Sequence, residues 1–172
     1  MVKLFFVALL ILGSTAVGFA RDSGDIFSIY LVRHGEKDAN PADPANPGLS
    51  DCGAARAEAL AKILAGAELE KIYSSDFERT LATARPIAEP LSLETEIYDP
   101  GDLEVLSRLL LKRRQNALVV GHSNTTGVLA GMLTGGVREE FDEGIYDRLY
   151  QVVISGEKTR LNLLHQAFRC GD

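Results

Sequence analysis

The chain has 172 residues, 46% of them hydrophobic and 24% charged, and its 18 basic and 24 acidic side chains leave a net charge of −6. That length supports one domain with a substantial core. The acidic balance argues against nonspecific nucleic-acid binding, which needs a basic surface, so an anion site here has to be a local cationic pocket.

The first twenty residues, "MVKLFFVALLILGSTAVGFA", place Lys3 before an apolar run from Leu4 to Gly13 and then small residues. This is the layout of a secretory signal peptide, with cleavage expected after Ala20 and a single domain over residues 21–172. The run is short for a membrane span, so no stable membrane insertion is expected after cleavage; a retained anchor is the alternative. Losing Lys3 takes the net charge from −6 to about −7. The expected location is secreted or periplasmic. An oxidising compartment would allow Cys52 and Cys170 to form one disulfide, but sequence alone does not bring them together.

From Ile26 onward, short apolar runs alternate with amphipathic ones. "IFSIYLV" predicts a strand. "LSDCGAARAEALAKILAG" predicts a helix with Ala57, Leu60, Ala61 and Leu64 on one face, Ser50 as its cap and Gly66 at its end. "KIYSSD" predicts a strand, and "FERTLATARPIAE" a helix that Pro86 should bend or shorten. "LETEIYD" predicts a strand closed by Pro100-Gly101, and "LEVLSRLLLKR" a helix ending in basic residues, as the macrodipole favours. "NALVVGH" is the most strand-like run, followed by a helix in "TTGVLAGMLTGG". "RLYQVVIS" and "RLNLLHQ" predict a closing hairpin. Residues 37–48, "KDANPADPANPG", predict an irregular loop that adjoins the first strand end. The expected architecture is α/β, three layers α/β/α around a mainly parallel, mixed sheet.

Ligands of open α/β sheets bind beyond the carboxyl ends of the strands. At those ends stand Arg33, His34 and Gly35, then Arg79 in the first turn of its helix, then Asp99, then His122 and Ser123 ahead of a helix start. Two arginines, two histidines and a carboxylate suit a phosphoryl group. Arginine's planar fork binds two phosphate oxygens, and helix N-termini offer free amides. A neutral imidazole can attack phosphorus, and neighbouring guanidinium groups keep it neutral. Gly35 is expected to let the backbone approach the oxygens. Three histidines without metal-ligand spacing predict no metal, and the chemistry needs no organic cofactor.

"LVRHGE", "SSDFERTLATA" and "VVGHSNT", in that order, resemble the histidine phosphatase superfamily, the phosphoglycerate-mutase-like fold. The resemblance runs from about Ile29 to Thr134, and "YDRLYQVVI" is similar to its small bacterial members. It implies that His34 is the nucleophile, that Arg33 and Arg79 clamp the phosphoryl group, and that His122 stabilises the transition state, with Ser123 contributing a contact. It also implies an acidic general acid at a variable position. Asp99 comes first, then Glu104 and Asp102 in "YDPGDLE", with Glu36 an outside candidate.

The implied activity is an exported phosphatase that hydrolyses phosphomonoesters, small or surface-displayed, through a phosphohistidine intermediate. A phosphoglycerate-mutase-type phosphotransferase and a protein phosphohistidine phosphatase are alternatives, as is a non-catalytic phosphate-binding module. A further rival is an α/β-hydrolase using Ser123, Asp147 and His165, although Thr125 stands where the last glycine of that elbow belongs. His165 otherwise reads as structural, and Arg56 and Arg85 as surface helix arginines. Oligomeric state is not encoded in any of these patterns.

Overall fold

The computed structural model describes residues 26–171. The expected signal segment and its cleavage point lie outside the described residues. Ten elements follow in chain order: β1 (Ile26–Arg33), α1 (Asp51–Leu64), β2 (Lys71–Ser75), α2 (Glu78–Leu91), β3 (Thr95–Tyr98), α3 (Leu103–Arg113), β4 (Ala117–Gly121), α4 (Thr126–Thr134), β5 (Arg148–Ser155) and β6 (Lys158–His165). The strands form one sheet in the order β3-β2-β4-β1-β5-β6. β1, β2, β3 and β4 are mutually parallel, while β5 and β6 run antiparallel as the predicted hairpin.

The central strands are apolar on both faces, as strands covered on both sides must be. Phe27, Ile29, Leu31, Tyr73 and Val119 pack toward Leu106, Leu110, Leu129 and Leu133, on α3 and α4. Val32, Ile72, Leu118 and Val120 point the other way, toward Leu60, Leu64, Ile87 and Ala88 on α1 and α2. The period of two along β1 and β4 thus fills two cores at once, which produces the three layers.

Helix α1 begins as the sequence predicts, with the Ser50 hydroxyl accepting from the Gly53 amide at 3.1 Å. Its predicted face is buried, Ala57, Leu60 and Leu64 being 1–3% exposed. The helix ends at Leu64, ahead of Gly66. Pro86 does not shorten α2, which runs through both Pro86 and Pro90 to Leu91. The irregular segment 37–48 folds over α1 and α2, where it lines a cavity of about 620 Å³ with Glu58, Glu78 and Arg85.

Arg56 departs from its surface reading. It is 7% exposed, and its Nε and Nη2 grip the Glu36 carboxylate at 2.6–3.0 Å. Its Nη1 donates to the Phe168 carbonyl at 3.2 Å. Two residues on, Cys170 is joined to Cys52 in the first turn of α1, so the disulfide left open above is present and closes a separation of 118 residues. The tail is therefore held over the Glu36–Arg56 pair by a covalent bond and a charge-assisted hydrogen bond.

A loop of that size restricts the unfolded chain strongly. Cys170→Ser is expected to lower unfolding free energy by about 2–4 kcal/mol. Denaturant titration should register the loss in oxidised samples, and reduction of the parent protein should reproduce it; equal stability of the two oxidised proteins would refute it.

Candidate active site

The parallel register places three strand ends side by side. Arg33 is level with Gly121, and Ser74 with Val120, so the residues that follow all leave the sheet at one edge. There His34, Arg33, Arg79, His122 and Ser123 line one cavity of about 660 Å³. The His34 and His122 ring centroids are 5.4 Å apart. Sequence separation gave no such distance; the sheet supplies it.

His34 is 2% exposed. Its Nδ1 lies 2.7 Å from the Gly35 carbonyl oxygen, an acceptor that fixes the proton on Nδ1. Nε2 then carries the lone pair, as an in-line nucleophile requires. The Gly35 amide donates to Thr83 Oγ1 at 3.0 Å, and that hydroxyl donates to the Arg79 carbonyl at 2.8 Å. One threonine in α2 thereby ties the His34 loop to the turn that carries the second arginine.

His122 is anchored differently. Its Nε2 meets Ser75 Oγ at 2.8 Å, while Ser75 donates to Thr80 Oγ1 at 3.1 Å. Ser75 is then the acceptor, Nε2 bears the proton, and Nδ1 is the nitrogen left to meet an oxyanion. The predicted role of the following helix amides is altered, because the Thr125 and Thr126 amides both turn back to the His122 carbonyl at 3.1 Å.

The sequence predicted neighbouring guanidinium groups as the reason the histidines stay neutral. Burial is the larger cause. Desolvation, followed by the charges of Arg33, His122 and Arg79, pushes His34 down to about 3 despite its bond to Gly35. Burial and then Arg79, Arg33 and Lys37 push His122 down to about 4. Burial also lowers both arginines, which nevertheless remain charged. The Arg33 and Arg79 side chains stack on Tyr146 and Phe77, at 4.1 and 4.4 Å from the ring centroids. Each has a buried Nε with no hydrogen-bond partner. Unsatisfied buried donors are costly, and an anion between the two arginines is the natural counterpart.

The acidic candidates fare otherwise. Asp99 folds back in a turn, Oδ1 accepting from the Gly101 amide at 2.8 Å, and it is Pro100 and Gly101 that line the cavity. Asp102 caps α3 through the Val105 amide at 3.1 Å. Glu104 faces solvent and pairs with Arg108 at 3.5 Å. Glu36 is held by Arg56 and lines a different cavity. The carboxylates that do line the His34 cavity are Glu140 and Glu143, which the sequence reading missed. They are delivered by a backbone crossing over α4. A Cβ on Gly127 would overlap the Glu139 carbonyl oxygen, and one on Gly131 the Val137 carbonyl oxygen, so the two glycines form a seat for residues 137–139. The spacing of these glycines in "TTGVLAGMLTGG" was the available signal.

Gly35 also has a different task from the one expected. A Cβ there would meet the Gly53 carbonyl oxygen at 2.6 Å. Its bareness lets α1 approach the His34 loop. The α/β-hydrolase constellation does not assemble: His165 and Asp147 pair at 2.9 Å and line the cavity that holds Glu36, whereas Ser123 lines the one that holds His34.

The family model that matches the chain is the histidine phosphatase superfamily (branch 1), over residues 29–100. Over those residues the chain is similar to the histidine phosphatase superfamily. The model covers β1 through β3, with Arg33, His34 and Arg79; His122 lies beyond it and joins them through the fold. Among relatives, a 2,3-bisphosphoglycerate-dependent phosphoglycerate mutase of Thermoplasma acidophilum is 29% identical over 135 residues, covering 76% of this chain and 64% of the relative. Phosphoserine phosphatase 1 of Hydrogenobacter thermophilus is 41% identical over 70 residues, covering 38% of this chain and 33% of the relative. The chain thus spans less than two thirds of either relative's length. The solved structure of the protein histidine phosphatase SixA complexed with tungstate superposes with a TM-score of 0.66 at 21% identity, covering 81% of this chain and 97% of that one, a likeness of fold.

Two predictions follow from this geometry. Gly53→Ala places a methyl group against the Glu36 backbone, which must shift to admit it, so it is expected to cost about 1–3 kcal/mol. Its thermal midpoint should fall and the His34 loop should shift in a crystal structure; an unchanged loop would contradict the glycine contact. The second concerns pH. Both histidines have folded values far below the ordinary 6.5. Below about 6.5 the unfolded chain therefore takes up protons that the native state refuses, and stability falls with pH, by up to roughly 1.4 kcal/mol per unit per histidine. His34→Gln removes one such group and should flatten the decline in urea midpoint between about pH 6.5 and 4. Parallel declines would show that burial of His34 is not its source.

Proposed function

We propose that this chain is an exported phosphatase that hydrolyses phosphomonoesters through a phosphohistidine on His34. The observation that carries the reading is the His34 Nδ1 bond to Gly35, which leaves Nε2 free at a cavity walled by Arg33, Arg79 and His122. In this mechanism the substrate's phosphoryl oxygens dock on the two guanidinium groups. His34 Nε2 forms a bond to phosphorus as the ester P–O bond breaks, and the oxygen leaves with the bonding pair and takes a proton. Water then attacks phosphorus, the P–N bond breaks, and phosphate departs.

Both arginines and His122 act on charge that gathers on the equatorial oxygens. His122 reaches that charge through Nδ1, gaining a proton as the dianion enters beside it. The leaving oxygen's proton is assigned to Glu140 or Glu143, in preference to Asp99, because those carboxylates line the cavity. Lys37, Asn124, Glu140 and Glu143 are exposed wall residues, an arrangement that suits a phosphate displayed on a larger molecule as well as a small ester. Export is supported by the apolar leader and by the Cys52–Cys170 disulfide, which suits an oxidising compartment.

A phosphoglycerate-mutase-type transfer is the second reading, favoured by the name of the Thermoplasma relative. There the phosphohistidine is handed to a second hydroxyl group rather than to water. Export weighs against it, since a glycolytic transfer belongs in the cytosol.

Acid quench after mixing with 32P-labelled substrate tests the common step. An acid-labile, base-stable label on His34 is expected, absent from His34→Ala; a label on Ser123 would sink the proposal. Arg79→Ala should lower kcat/KM by about 10²–10³-fold. Release of free phosphate, against its appearance on 3-phosphoglycerate or retention by the protein, separates hydrolase, mutase and binding module.

A further inference from the structure

Arg33 is 2% exposed, yet among the described residues no carboxylate oxygen lies within ion-pair distance of it. A turn between α4 and β5 holds it instead. Arg33 Nη1 donates to the Glu143 carbonyl and, at 3.2 Å, to the Ile145 carbonyl. Nη2 reaches the Tyr146 hydroxyl at 3.4 Å, and the guanidinium carbon sits 4.1 Å from the centroid of the Tyr146 ring. The same ring stands edge-on to His34, with centroids 6.3 Å apart.

These partners share one property. Carbonyl oxygens and an aromatic face orient a guanidinium without cancelling its charge, whereas a carboxylate would neutralise it. A planar ring under a planar cation also fixes the rotation of the fork, which decides whether its N–H groups converge on phosphate oxygens. The hydroxyl contact is long and contributes little beside the stack.

We propose that Tyr146 is a positioning residue: its ring holds the Arg33 guanidinium in the pose, and at the full charge, that an incoming phosphoryl group requires. The proposal rests on reading this cavity as a phosphoryl site. It assigns a role to Tyr146, the first residue of "YDRLYQVVI", which lies 113 residues from Arg33 and outside the three strand-end blocks that supply the arginines and histidines. The ring acts through Arg33 and touches no reacting atom, so its loss should appear in oxyanion affinity.

The test is equilibrium binding of inorganic phosphate to the intact protein by calorimetry, alongside kcat and KM for p-nitrophenyl phosphate. Tyr146→Leu is expected to raise the phosphate Kd and the KM about tenfold, with a smaller change in kcat. Tyr146→Phe, which keeps the ring, should recover most of that loss. A folded Tyr146→Leu protein that binds phosphate within about twofold of the parent overturns the proposal. If the leucine variant does not fold, phenylalanines bearing one, two and three fluorines at position 146 preserve the shape while draining the ring's negative face. Affinity falling with each fluorine supports the stack, and a flat series overturns it. Should the parent bind phosphate without turning over any ester, the hydrolase reading fails while the Tyr146 result stays readable. A parent that binds no phosphate defeats both.

Discussion

Two guanidinium groups and two imidazoles occupy one small volume at the end of a parallel sheet, and the groups that orient them are carbonyl oxygens, hydroxyl oxygens and ring faces. Positive charge gathered this way repels itself and is poorly solvated. Its effects are visible throughout the site. Both histidines are held neutral far below their ordinary range, and both arginines keep a buried Nε without a partner. A core that merely maximised stability would put a carboxylate between the arginines. Leaving that place to an external oxyanion is what converts a buried, strained cluster into a receptor for one.

The scaffold bears this strain by over-determining each side chain. Thr83 couples the His34 loop to α2, and Ser75 with Thr80 fixes the His122 ring. Gly35 and Gly53 let α1 lie directly against that loop, and Glu36 on its far side is clamped by Arg56 beneath the disulfide-tethered tail. The loop is thus pinned from α1, from α2 and from the C-terminal segment. Removal of any one restraint leaves a two-point attachment, about which a short glycine-containing loop can pivot. In the mechanism proposed above, placement of Nε2 against phosphorus tolerates little such pivoting.

What was legible in the sequence follows from what period and topology determine. The apolar runs "IFSIYLV" and "NALVVGH" read as strands, and the rule that ligands of open α/β sheets bind beyond the strand ends sets Arg33, His34, Arg79 and His122 at one edge. The acidic residues resisted because a turn's side-chain direction is set by local partners, not by period. Asp99 is taken by the Gly101 amide, Asp102 by its own helix, Glu104 by Arg108 and Glu36 by Arg56. Arg56 itself sits off the predicted apolar face of α1, and only the returning tail, 112 residues later, buries it. Tyr146 carries no local mark of its partnership with Arg33. Such contacts are products of chain closure, and a single sequence read by windows does not contain them.

The cavity therefore has two parts of opposite character and separate origin. Its floor comes from the strand-end blocks, is buried at Arg33 and His34 and half-buried at Arg79 and His122, is cationic, and is screened by salt less than the rim. Its rim comes from residues 137–146, seated on the glycine notch of α4, and is exposed and acidic through Glu140 and Glu143. The Lys37–Glu143 pair at the rim is 3.6 Å long and solvated, so it holds the segment only weakly, on the order of 1 kcal/mol or less. The residues of the floor and those of the rim thus come from separate stretches of the chain. Yet the two parts meet at one place, since the turn that carries the acidic rim also grips Arg33 through the Glu143 and Ile145 carbonyls and the Tyr146 ring. Rim and floor are therefore joined through a single backbone turn and one aromatic ring.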